Sequence, residues 1–212
     1  SNNGSLVSDY SLAGVTTKYV AATITPKTVA LSATKTYDGS TSLTGFVTVT
    51  TGIAGQTLSY TGAVANDAHV NTANKFISAI TLSNGNSASS NYKLPTLDNL
   101  NAPVTINPAV LIPSLTNTGV TKIYDGTVTP PSGFSPSYSL VGKVGTDVIN
   151  LSYSAAVYGS KNVLGINGVN GINNVTVSGI TLSSVTGGLN ASVLSDYTLG
   201  SNTSAVVSAS IT

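Results

Sequence analysis

Thr34-Lys35-Thr36-Tyr37-Asp38-Gly39-Ser40 returns later in the chain as Thr121-Lys122-Ile123-Tyr124-Asp125-Gly126-Thr127. The flanks return with it. Leu58-Ser59-Tyr60 matches Leu151-Ser152-Tyr153, Ile80-Thr81-Leu82-Ser83 matches Ile180-Thr181-Leu182-Ser183, and Ser90-Asn91-Tyr92 matches both Ser195-Asp196-Tyr197 and Ser8-Asp9-Tyr10. Self-similarity at a long, fixed order is the mark of a folded module used in series. Thr25-Pro26 and Asn107-Pro108 are equivalent points, so the phasing predicts one module over residues 26–107, a second over residues 108–212, and the closing strands of a preceding repeat over residues 1–25. The offset between matched landmarks grows stepwise from 82 at the prolines to 105 at Ser-Asp-Tyr. Length changes spread over several gaps are what loops between fixed strands tolerate. Beginning mid-repeat and without Met, the segment reads as part of a longer array.

Composition sets the class. Ser, Thr and Asn exceed a third of the residues, Gly numbers 21, and hydrophobic residues still reach 41%, enough for two ordinary cores. Every acid is Asp and every base is Lys, so the Glu, Lys and Arg supply that helix surfaces draw on is missing. Phe46–Thr50, Val175–Leu182 and Ser204–Ile211 alternate with the two-residue period of half-buried strands. Asp38-Gly39, Asp125-Gly126, Asn84-Gly85, Asn167-Gly168 and Asn170-Gly171 mark turns between strands. About seven short strands per module predicts an all-β chain of tandem immunoglobulin-like β-sandwich modules arranged end to end, each near the usual size of roughly 100 residues.

Charge and cysteine usage narrow the partners. A net charge of +1 with 7% charged residues offers no basic patch for nucleic acid or an anionic membrane. No apolar run approaches the roughly 18 residues of a membrane-spanning helix. Without Cys there are no disulfides and no thiolate metal sites.

The order Thr-Lys-x-Tyr-Asp-Gly-[Ser/Thr], an Ile-Thr-Leu-Ser strand, [Asn/Asp]-Tyr and a closing strand resembles the YDG repeat of large bacterial exoproteins, many of them filamentous-haemagglutinin-like adhesins. The resemblance covers nearly the whole chain. It implies a tandem immunoglobulin-like or related β-domain at the bacterial cell surface or secreted, non-enzymatic, with a stalk, spacer or scaffold role. Copy two keeps the pattern more fully, whereas copy one carries Asn66-Asp67-Ala68-His69-Val70 where copy two has Lys161-Asn162-Val163. Partners implied are neighbouring repeats. A filament built by strand donation or end-to-end contacts between copies is the second reading, and a carbohydrate-binding module contacting surface glycans is the third.

In each Tyr-Asp-Gly triplet (Tyr37, Asp38, Gly39; Tyr124, Asp125, Gly126) the expectation is a fold signature. The Tyr enters the core or stacks on a sheet, the Asp bonds turn amides, and the Gly takes positive φ. For Tyr10, Tyr92 and Tyr197, each after Asp or Asn, the expectation is a corner whose hydroxyl bonds backbone. His69 is the lone histidine; with Asp67 two residues away a general base is conceivable, yet no nucleophile is marked beside it, so no catalytic residue is assigned. The seven Asp are dispersed rather than grouped as a calcium loop; no cofactor is assigned, and a single inter-domain calcium ion bound by carbonyls and one or two Asp stays open. A contact loop specific to the second module is placed at Asn162, Gly165, Asn167, Gly168, Asn170 and Gly171.

Overall fold

The computed structural model describes Gly4, Gly14 and residues 19–164, 172–188 and 191–212. The chain is all-β: these residues hold 17 strands and no α-helix. The first half runs β1 (Lys27–Thr28), β2 (Ala30–Thr36), β3 (Val47–Thr50), β4 (Leu58–Ala65), β5 (Ile77–Asn84), a single 3-10 turn (Ser89–Asn91), β6 (Tyr92–Lys93) and β7 (Val104–Asn107). The second half runs β8 (Ala109–Val110), β9 (Ile112–Leu115), β10 (Val120–Lys122), β11 (Tyr138–Val141), β12 (Val148–Ser152), β13 (Ala155–Tyr158), β14 (Asn173–Ser178) and β15 (Thr181–Thr186). A second 3-10 turn (Leu194–Asp196), β16 (Tyr197–Thr198) and β17 (Ser204–Ile211) close it.

Pairing recurs between the halves. β1 lies parallel to β6 as β8 lies parallel to β16, and β2 lies parallel to β7 as β10 lies parallel to β17. β2 pairs antiparallel with β3 as β9 does with β11, and β4 pairs with β5 as β12 does with β15. The second half splits what the first keeps whole. Its sequence run Val175–Leu182, expected as one strand, is interrupted at Gly179, whose φ of 62° is open to glycine and strained for other residues. A Cβ there would also run into the Ser154 hydroxyl. β14 therefore joins the sheet ordered β10-β17-β14-β13, while β15 pairs with β12 in another.

Register corrects one of the repeat matches. Tyr60 sits opposite Leu82, and it is Leu151, not Tyr153, that sits opposite Leu182. The Leu-Ser-Tyr match is thus two residues out of step. A two-residue slip keeps every side chain on its own face of a strand, so the periodic pattern gives no warning of it.

Alternation supplies the core: β2 buries Leu31, Ala33 and Lys35, and β7 buries Val104 and Ile106, with exposed residues between them. Rather than two separate cores, the buried apolar residues of both halves form one connected cluster from Val29 to Ile211. Residues 19–25, expected among strands of a preceding repeat, are exposed and carry no strand. Tyr19, Val20 and Ile24 lie open to solvent.

Candidate functional site at the junction of the repeats

The two Tyr-Asp-Gly turns are built around buried lysines. On β2, Lys35 occupies an inward position; its Nζ donates to Asp38 Oδ1 at 2.6 Å, the Ser40 carbonyl at 2.6 Å and the Ser42 carbonyl at 3.0 Å. Lys122 repeats this on β10, donating to Asp125 Oδ1 at 2.7 Å and to the carbonyls of Thr127 and Thr129 at 2.8 and 2.9 Å. A buried ammonium is tolerated when oxygen acceptors take up its protons. Each Asp also accepts the amide two residues on, Ser40 or Thr127, at 2.9 Å. Gly39 and Gly126 turn the chain at φ of 76° and 74°, in the left-handed region. The Lys122 hydrogen bond, with those of the Thr127 amide and hydroxyl, holds the Asp125 carboxyl down at about 2.

Beyond the first turn lies the junction. Tyr37 is buried, its amide bonded to the Asn107 carbonyl at 2.8 Å, at the point where the chain enters the second half. Its hydroxyl hydrogen-bonds Ser192 Oγ at 2.6 Å, and its ring meets that of Tyr197 edge-on, centroids 5.7 Å apart. Tyr197 donates its hydroxyl proton to Asp147 Oδ2 at 2.5 Å and accepts the Val144 amide at 3.2 Å. The second Asp147 oxygen accepts the Gly188 amide at 2.8 Å.

A loop of the first half completes the contact. Asp67 Oδ1 accepts the His69 amide and the Thr72 hydroxyl, both at 2.7 Å, and the buried Lys75 donates to the carbonyls of Val70 and Thr72. So braced, the loop presents His69 Nδ1 to Asp196 Oδ2 at 2.8 Å and the Val70 amide to Asp196 Oδ1 at 2.9 Å. With a carboxylate as acceptor, the His69 proton sits on Nδ1. Asp196 is fully buried and accepts a third bond from the Val193 amide at 2.9 Å.

Two carboxylates and two phenols packed together set the electrostatics. Burial works against the charge of Asp147, but the hydrogen bonds from Ser192, Tyr197 and the Gly188 amide outweigh it and keep its carboxyl below the usual range. Burial pushes the Tyr37 hydroxyl up, and the Asp196 and Asp147 charges push it further against the Ser192 bond. Tyr197 is raised more strongly, by burial first and then by Asp147.

Residues 107–205 match the model of the YDG domain. The match runs from Asn107, at the junction, into β17, and no match to the chain was found among curated proteins or solved structures. Within the matched stretch lie Lys122, the second Tyr-Asp-Gly turn, Asp147 and the Asp196–Tyr197 corner. The half that precedes it repeats its strand pairings and its lysine-centred turn.

The second turn's tyrosine stands apart from the first. Tyr124, expected in a core or on a sheet, is 53% exposed, against 3% for Tyr37. Tyr92 is buried and bonds the Gln56 side chain where a backbone bond was expected, and Tyr197 bonds the Asp147 side chain as well as a backbone amide. Tyr10 and the contact-loop residues Gly165, Asn167, Gly168, Asn170 and Gly171 lie outside the described residues. Asn162 is exposed, its amide bonded to Ser160 Oγ.

Sequence reasoning passed over Lys35, Lys122, Asp147 and Ser192. Lysine at an inward strand position, Lys35 after Leu31 and Ala33, was the readable signal for the first two. Chemically, the junction is a hydrogen-bonded lock. Ser192, the hydroxyl buried among these groups, is engaged by Tyr37 and Asp147, and no hydroxyl bonds His69 Nε2 among the described residues. Asp147 and Asp196 face N–H and O–H donors, as hydrogen-bonded acids do, and no group of three metal-ligating side chains gathers among the described residues.

Proposed function

We propose that this chain is a non-enzymatic repeat segment of a bacterial cell-surface or secreted adhesin, serving as a stalk or spacer whose partners are neighbouring repeats. The tandem immunoglobulin-like reading of its modules belongs to this proposal, as do their limits at residues 26–107 and 108–212. The observation that carries it is the parallel pairing of an early strand with the closing strand in each half. Ala33–Thr36 runs beside Val104–Asn107, and Val120–Lys122 beside Ala209–Ile211. Tension applied along the chain pulls the start of one strand and the end of its parallel neighbour in opposite directions, which shears the whole ladder at once instead of opening it bond by bond. Tyr37 and Tyr124, bonded to Asn107 and Thr212, extend each ladder at its loaded end. The scarcity of charge suits a spacer with no ligand of its own to attract. The resemblance to exoprotein repeats supplies the extracellular setting.

Force spectroscopy tests this reading. The chain has no Cys, so handles can be placed at will. Loading through both ends is expected to unfold each half in a single high-force event. Loading through Ala30→Cys and Thr50→Cys, which face each other across the antiparallel β2–β3 pair, is expected to unzip that pair at distinctly lower force. Equal forces in the two geometries would remove the mechanical argument for a stalk.

A further inference from the structure

Tyr37 and Tyr124 share one backbone setting and differ in what covers them. Each follows a lysine-centred strand, each donates its amide at 2.8 Å to the end of its half, Asn107 or Thr212, and each precedes an Asp-Gly turn of the same φ. Tyr37 is covered by the Ser192, Asp196 and Tyr197 corner of the following half. Tyr124 has no such corner over it among the described residues, and half its surface meets solvent.

The covering corner also has a counterpart. Tyr92 stands where Tyr197 stands, after a 3-10 turn and at the start of a two-residue strand, and Asn91 stands in place of Asp196. Gln56, whose amide bonds the Ile53 carbonyl as that of Asp147 bonds Val144, holds the Tyr92 hydroxyl as Asp147 holds that of Tyr197. Beside this corner opens a cleft of about 450 Å³ lined by Ile24, Pro26, Lys27, Gln56, Asn91 and Tyr92. Its Ile24 and Pro26 correspond to Ile106 and Pro108, which flank the Asn107 carbonyl at the occupied junction. The described residues thus present a half-exposed tyrosine in the second half and an open cleft beside the matching corner of the first.

We propose that Tyr124 of one chain docks into the cleft beside Tyr92 of a second copy, reproducing the Tyr37–Tyr197 junction between molecules. The two surfaces differ, so the contact is head to tail and each added copy leaves a fresh surface for the next. Asn91 stands where Asp196 stands in the occupied junction, so the docked contact buries an amide there and not a charge. The proposal stands apart from the stalk reading: a chain that resists shear but stays monomeric keeps that reading and loses this one.

The test is sedimentation and light scattering of the full chain from micromolar to millimolar concentration. Mean mass is expected to rise from 21.2 kDa without levelling off at a dimer. Tyr124→Asp and Asn91→Lys, both at exposed positions, should each abolish the rise while leaving the circular dichroism spectrum unchanged. An equimolar mixture of the two variants should form a one-to-one complex and nothing larger, since only one docking surface survives on each. A wild-type chain that stays monomeric at millimolar concentration overturns the proposal. So do variants that associate as well as wild type, or a mixture that polymerises.

Discussion

The ring of Tyr37 meets that of Tyr197 at 5.7 Å and 76°, an edge-to-face contact that joins the first Tyr-Asp-Gly turn to the last corner of the chain. Such pairs add about 0.5–1.5 kcal/mol beyond the area they bury. Tyr37→Ala would empty a buried site and is expected to cost about 3–5 kcal/mol. Tyr37→Phe, which removes only the bond to Ser192, should cost about 1 kcal/mol. Tyr124→Ala, at the matching but exposed position, should stay within about 0.5 kcal/mol. Urea denaturation of the three variants measures the contrast, and equal losses for Tyr37→Ala and Tyr124→Ala would contradict the asymmetry of the two turns.

Asp196 is the acceptor on which the first half's loop rests. Asp196→Ala leaves the Val70 and Val193 amides without partners and is expected to cost roughly 1–3 kcal/mol. His69→Ala removes one bond from the rim, where the imidazole is 27% exposed, and should cost less. Amide hydrogen exchange checks the assignment: Val70 and Val193 should lose protection in Asp196→Ala, and Val70 should keep most of it in His69→Ala.

What the sequence revealed and concealed follows from periodicity. The all-strand character was legible because Thr, Val and Ile alternate and helix-forming surface residues are missing, and β17 falls where Ser204–Ile211 alternates. The lysine-centred turn was quoted in full, yet its centre was missed, because the two-residue period assigns Lys35 to the interior while hydrophobicity assigns it to solvent. Only the Asp38, Ser40 and Ser42 oxygens resolve that conflict, and they converge after the chain has turned at Gly39. Asp147 and Asp196 looked dispersed because nothing local predicts that both reach one tyrosine pair. The exposure of Tyr124 was hidden for a related reason: closely matched heptapeptides carry no record of what packs over them.

The lysine hubs give a direct titration. Lys122→Met removes the donor that does most to hold the Asp125 carboxyl at about 2, so that value should climb back toward 3.8. The Thr127 amide and hydroxyl keep it from returning fully. Carbon-detected NMR of the Asp side chain reads this directly, and an unmoved value would mean that the lysine is not its main partner. Lys35→Met, which strips a donor from Asp38 and two carbonyls, should lower stability by roughly 1–3 kcal/mol.

Stability should fall at both ends of the pH scale, for different residues. Asp67, Asp125 and Asp147 have carboxyls held below their ordinary value of 3.8 in the folded chain. An acid whose folded value is depressed contributes stability above its unfolded value and loses it as pH drops, so the acid limb should run from about pH 4 downward. Tyr37, Tyr158 and Tyr197 are raised above their ordinary value of 10.0, chiefly by burial. Above about pH 10 the unfolded chain gains by ionising phenols that the folded chain keeps neutral, and stability should decline there. Tyr37→Phe should flatten the alkaline limb, and Asp147→Asn the acid one. Unfolding midpoints measured across the range for wild type and both variants decide the matter, since an alkaline limb unchanged by Tyr37→Phe would show that the junction phenol stays out of the titration.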